Sequence, residues 1–300
     1  MNEKNQKCII CAIEKSGKDF NTEHIILESL GGKRFSENTL NDVCVGCNSK
    51  LGMHVDSRFV NSPLLEFIRN RKGIKGRNGV PGLEKLDIPF WIPEIIGNLV
   101  TDSNTGDITG FRAKYGKSKN FIFAPKNVNL GYFKNHVKSC SDEEIKTRII
   151  DFDNVPLFPR IDNISLPHEA VEGYLKYAFF PLSLKISFEY AYKYLGEQWL
   201  NQTISKDIQK VLVQLCQGNT LIKVPTDTNL YMGDKPSNEI MVEFEGEGDK
   251  IYVRIDIFGI FNSKMLIGYK NSLTNLGSEY PKLKIDVSSS NVKDFKVIYL

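Results

Sequence analysis

Two Cys-x-x-Cys pairs stand near the start of the chain, Cys8 and Cys11 in CIIC and Cys44 and Cys47 in CVGC, with 32 residues between them. Four thiolates in two such knuckles suit a tetrahedral Zn²⁺ site. Four protein ligands leave no open position, so the metal is expected to be structural. Binding of this kind can contribute about 10–16 kcal/mol of apparent folding free energy. Residues 1–80 are rich in Cys, Gly, Asn and basic groups, and such a staple would order them. The alternative, thioredoxin-like redox pairs, calls for a βαβ pattern that surrounds neither knuckle. Cys140 and Cys216 stand alone and read as plain thiols.

The segment MNEKNQKCII has no apolar signal-peptide core, and nowhere do 18 apolar residues run together. The expected location is cytoplasmic, where paired cysteines bind metal more often than they form disulfides. The net charge of +3 is mild, but its distribution is uneven. Residues 1–80 hold 13 Lys and Arg against 9 Asp and Glu, and the remainder holds 26 against 27. The positive excess therefore sits with the cysteine pairs and points to an anionic partner for that segment.

The expected fold class is α+β, in two parts. Residues 1–80 form a zinc-stapled module, and GIKGRNGVPG (73–82) is loop by composition and marks its end. Residues 81–300 form a larger mixed region with helices and an antiparallel hairpin: strand-rich over 83–160, helical over 166–217 and β over 226–300. In SKDIQKVLVQLCQG (205–218), Ile208, Val211, Leu212 and Leu215 recur at helical spacing. Ser205 is placed to cap its start and Gly218 to end it. The longer apolar run over 169–196 should kink or split at Pro181. EIMVEFEGEGDKIYVRIDIFGI (239–260) alternates on both sides of a Gly-Glu-Gly-Asp turn and reads as a hairpin.

A simple zinc ribbon needs only about 15–20 residues between its knuckles. The longer spacer here contains FNTEHIILESLGGKRFSENTLNDV. Within it the adjacent acid and imidazole Glu23-His24 precede Ile25 and Ile26. Gly31-Gly32 and Asn38-Thr39-Leu40 follow, and the second knuckle leads at once into Asn48. In this order and spacing the set resembles the HNH endonucleases, specifically the zinc-stapled ββα-metal (His-Me finger) subtype with a treble-clef-like module. The resemblance spans residues 8 to about 77. It departs from the pattern at Glu23, where many relatives have Asp, at Leu27, where many have Pro, and at Asn48, where others have His.

The resemblance implies a metal-dependent hydrolysis of DNA, with RNA left open. His24 would be the general base, a task that a neutral imidazole suits at neutral pH. Glu23 and Asn48 would hold one Mg²⁺ or Mn²⁺, hard cations that prefer oxygen. Asn38 would hold the loop that orients His24, with Asn41 its rival for that place. Arg69, Arg71, Lys72, Lys75 and Arg77 lie among glycines and would grip phosphates without reading sequence. The remaining residues, 83–300, carry no catalytic constellation. They leave room for a homodimer, or for a defence-system partner if the enzyme acts in phage defence or restriction.

Each residue also has a plainer reading. His24 can be a structural histidine, Glu23 an exposed strand acid, Asn38 a turn residue and Asn48 a helix N-cap. His54 and Asp56 are expected at the surface of the helix after the second knuckle. His136 and His168 receive no role. The functional rivals are a catalytically silent zinc module that binds nucleic acid, and an interaction protein whose knuckles only staple the fold.

Overall fold

The computed structural model describes residues 5–32, 36–75, 79, 87–89, 96–101, 108–113, 122–124, 149–151, 163–166, 168–219, 227–233, 235–273, 281–287 and 296–299. Mixed helices and largely antiparallel sheets make the chain α+β. The cysteine segment opens with a small antiparallel pair, β1 (Asn5–Lys7) and β2 (Glu14–Ser16), which brackets the first knuckle. Ala12 turns that knuckle with φ of 58°. A second pair follows, β3 (Glu23–His24) against β4 (Thr39–Leu40). The second knuckle then opens helix α1 (Val45–Leu51) with Cys44 as its N-cap. A wide turn of π-helix at Gly52–Asp56 carries α1 into α2 (Ser57–Val60), and α3 (Pro63–Arg71) completes the segment.

Downstream, β5 (Asp87–Pro89), β6 (Ile96–Thr101), β7 (Ile108–Ala113), β8 (Ile122–Ala124) and β9 (Ile149–Asp151) form one sheet in sequence order. The strands expected over 83–160 are therefore present. β10 (Asn163–Leu166) pairs in parallel with β16 (Lys296–Tyr299).

Three helices follow: α4 (His168–Tyr174), α5 (Phe180–Leu200) and α6 (Thr203–Cys216). Pro181 does not end the helical run. The chain takes a π-turn at Leu175–Phe179 just before it, and Pro181 falls in the first turn of α5. A proline has no N–H to donate into the preceding turn, and the helix widens into the π-turn just ahead of it. α5 bends again at Gly196, whose φ of 62° and ψ of −152° are open only to glycine. Every residue from Phe180 to Ala191 is buried, so α5 is a core helix, apolar on all sides apart from a few polar residues. Ser205 is not the cap of α6. The helix begins two residues earlier with Gln202 at the N-cap, and Ser205 is buried with its hydroxyl unpartnered. Gly218 does stand just past its end, with φ of 84°.

The last sheet is antiparallel, in the order β11 (Thr228–Met232), β14 (Phe261–Tyr269), β13 (Lys250–Ile257), β12 (Glu239–Glu247), β15 (Lys282–Asp286). The hairpin read from the sequence is β12–β13, with Glu247 opposite Lys250 and a two-residue Gly248-Asp249 loop. Gly248 sits at φ of 61°, the left-handed value a tight hairpin loop requires at its first position. Ile240, Val242 and Phe244 face inward, while Glu243 and Glu239 on the other face pair with Lys282 and Lys284 of β15.

The apolar core runs without interruption from the cysteine segment through α5 and α6 into this sheet. Phe59 of α2, Phe179 and Phe261 of β14 stack within 5.1–5.7 Å of one another. Polar ties cross the same boundary. Gln209 of α6 donates to the Ile9 carbonyl at 2.5 Å, and Lys193 of α5 donates to the Thr39 carbonyl at 2.8 Å. No helix among the described residues is long and apolar enough to cross a membrane.

Candidate metal centre and acid–histidine site

The sulfurs of Cys8, Cys11, Cys44 and Cys47 lie within 4.8 Å of one another. Backbone geometry brings them there: the Ile9 N–H donates to the Asp42 carbonyl at 3.0 Å, and the Cys44 N–H donates to the Cys8 sulfur at 3.3 Å. Lys15 Nζ donates to the Cys44 sulfur at 3.1 Å. A hydrogen bond with Cys47, together with burial, pushes the Cys8 thiol up to about 12. Cys47 is pushed up as well, first through its hydrogen bond to Cys216, and the same bond pulls Cys216 down. An incoming metal must displace these protons. Four sulfur donors at this spacing fit a tetrahedral ion. Cys216, read from sequence as an isolated thiol, lies at the end of α6 against Cys47. It is outside the group of four. Cys140 lies outside the described residues.

β3 and β4 set the second site. Glu23 faces Leu40 across the pair, and His24 faces Thr39. Asn38 is fully buried and closes the loop between the strands. Its Oδ1 accepts from the Ile26 N–H at 2.7 Å. Its Nδ2 donates to the carbonyls of Ile26 at 2.7 Å and Gly32 at 3.1 Å. Gly32 is required by this packing: a Cβ there would meet the Ile26 carbonyl at 1.9 Å and Asn38 Nδ2 at 2.5 Å. Asn41 takes a different place, exposed, with its Oδ1 accepting from Thr22 at 3.2 Å.

His24 is half-buried and has no hydrogen-bond partner among the described residues. Asn48, one turn into α1 and not its N-cap, reaches across to β3. Its Nδ2 donates to Asn21 Oδ1 at 3.1 Å and to the Thr22 carbonyl at 3.4 Å. Asn48 Oδ1 has no partner among the described residues, so it remains available to a hard cation.

Glu23 is neither exposed nor free. It is 4% exposed, and Lys185 Nζ of α5 lies 2.5 Å from its Oε1. The same ammonium bonds both oxygens of Asp56, at 2.9 and 3.1 Å. Asp56 is therefore not the surface acid expected from sequence. The π-turn delivers it to the buried end of Lys185, and burial pushes its carboxyl up while Lys185 opposes that. Glu189, one turn beyond Lys185, completes the cluster. Its carboxyl is held well above the ordinary range, by burial first. Lys185 stays firmly protonated because the charges of Asp56, Glu23 and Glu189 outweigh its own burial. Sequence reading missed Lys185 and Glu189. The signal was a lone Lys and Glu four residues apart inside the apolar run FFPLSLKISFEYAY. His54 is half-buried beside Gly218.

The expected phosphate-gripping run needs correction. Arg69 is 6% and Lys72 2% exposed. Lys72 donates to Asn238 Oδ1 at 2.7 Å and lies 5.6 Å from the Phe258 ring centre. Both aliphatic stems pack into the core, as long basic side chains can. Lys75 is exposed. The side chains of Arg71 and Arg77 lie outside the described residues, as do His136 and the side chain of His168.

Residues 8–64 match the family model described as HNH endonuclease. That segment contains both knuckles, the β3–β4 pair with its Asn38 clamp, α1 and Asp56. No curated protein and no solved structure is significantly similar to the chain.

Proposed function

We propose that the chain is a metal-dependent HNH endonuclease that hydrolyses DNA phosphodiester bonds, with a structural Zn²⁺ held by Cys8, Cys11, Cys44 and Cys47. The observation that carries this reading is the Asn38 clamp: within the segment matched to the family, one buried amide fixes the strand end bearing Glu23 and His24, whose imidazole has no partner among the described residues. In this reading His24 takes a proton from water as the water oxygen attacks phosphorus, and the 3′ oxygen departs. Glu23 and Asn48 are the residues that would hold Mg²⁺ or Mn²⁺, whose chemistry is to offset charge on the departing oxygen. Arg71, Lys75 and Arg77 are the basic residues left to contact phosphate, and that contact would weaken as salt rises.

One observation favours the silent-module alternative: Glu23, the acid of the pair, is already engaged by Lys185. Plasmid cleavage by pure protein in Mg²⁺ or Mn²⁺, wild type against His24→Ala, decides between them. The nuclease reading expects cutting that falls by at least about a hundredfold in the variant, with metal content and fold unchanged. Equal cutting by both proteins, or none by either, removes His24 as the base.

A further inference from the structure

Asn21 and Thr22 lead directly into the acid–histidine pair of β3, and both of them hold Asn48 of α1. Asn48 Nδ2 donates to Asn21 Oδ1 at 3.1 Å and to the Thr22 carbonyl at 3.4 Å. Thr22 is tied in turn to the residue just past β4, its Oγ1 donating to Asn41 Oδ1 at 3.2 Å. A side-chain amide has one donating end and one accepting end, whereas a backbone carbonyl can only accept. Turning the Asn48 amide over would set its oxygen against the Thr22 carbonyl. The nitrogen is therefore fixed on this side and the oxygen on the other. That oxygen has no partner among the described residues, and it is the amide atom that a hard cation takes.

We propose that Asn21 is a positioning residue for the divalent cation: by accepting from Nδ2 at the entry to β3, it fixes which end of the Asn48 amide the cation meets. This rests on reading Asn48 as a cation ligand and adds a residue that itself touches neither cation, water nor substrate. Asn21 and Thr22 immediately precede Glu23 and His24, so the same two bonds also set Asn48 relative to that pair. Without Asn21, Asn48 keeps only its longer bond to Thr22, and its amide spends part of its time turned over or swung into solvent. The apparent affinity for the cation then falls with the fraction of chains whose oxygen is presented. A partner one bond removed from the metal tunes affinity in this way.

The test is Mn²⁺ binding to the full zinc-loaded chain, followed by electron paramagnetic resonance, with the thermal unfolding midpoint measured alongside in Mn²⁺-free buffer. Asn21→Ala should bind Mn²⁺ about threefold to tenfold more weakly than wild type, the effect of losing one ordinary hydrogen bond. Its midpoint should be unchanged, because Asn21 is exposed. In the Asn48→Ala background the same substitution should change nothing further, since the amide it acts through is gone. Wild-type affinity in Asn21→Ala overturns the proposal, and a lowered midpoint with that affinity marks Asn21 as a structural tie only. An equal loss of affinity in both backgrounds also overturns it, because Asn21 then acts without Asn48. Asn48→Ala alone distinguishes the two levels of failure. Affinity unchanged there, or no Mn²⁺ binding by wild type, sinks the ligand role of Asn48 and this inference with it. Affinity lost there but kept in Asn21→Ala sinks only the positioning role of Asn21.

Discussion

Asn38 shows how one side chain can organise a site it does not touch. Three hydrogen bonds from a single buried amide hold Ile26 on both sides of its peptide and secure Gly32. Asn38→Ala would leave buried N–H and C=O groups unsatisfied, which costs about 3 kcal/mol. A lower urea midpoint with unchanged slope is the expected result; under the proposed nuclease reading, the cleavage assigned to His24 falls with it. This residue was legible in the sequence, because its place between the Gly-Gly pair and the second knuckle marked it. Asp56 was not legible. Its sequence neighbours are ordinary for an exposed helix, and only a partner 129 residues away draws it in from the surface. Arg69 and Lys72 were misread for the same reason: composition shows charge, but not the Asn238 and Phe258 that receive Lys72.

At the scale of elements, α5 departs furthest from simple patterning. Periodicity announces a helix there, and the apolar content announces burial, but neither tells which distant carboxylates meet Lys185. Glu189 gives this helix a pH signature. Its carboxyl takes up protons more readily in the folded chain than in the unfolded one, whose ordinary value is 4.5. The folded state therefore holds the extra proton above that pH, and the stability it brings is complete below 4.5 and is lost as pH rises. Glu189→Gln keeps the neutral form at every pH. The variant should match wild type near pH 4.5 and become the more stable of the two as pH rises. Parallel urea titrations across that range check this, and a gap that does not widen with pH would contradict it.

Over the whole molecule, the four sulfurs and the apolar core are coupled. Ile9 is buried within the first knuckle and is also the residue whose carbonyl Gln209 holds. α5 and α6 pack against the cysteine segment on one side and the five-stranded sheet on the other. Loss of the metal should therefore be felt far from the cysteines. Under the proposed zinc site, Cys44→Ser is expected to lose metal binding and to lower the unfolding midpoint of the helices and sheet together, in one transition seen alike by helical circular dichroism and tryptophan fluorescence. Separate transitions would mean that the two parts fold independently. The knuckles and the hairpin were readable because each is set by local spacing, whereas this coupling comes from tertiary packing and leaves no local mark. The Gln209–Ile9 bond also bears on portability. A fragment cut just after the matched residues would carry every proposed catalytic and zinc-binding residue yet expose a broad apolar face that α5 and α6 normally cover. The segment matched to the HNH endonuclease model is thus no transplantable cassette, and its grafts onto other scaffolds would need those two helices to travel with it.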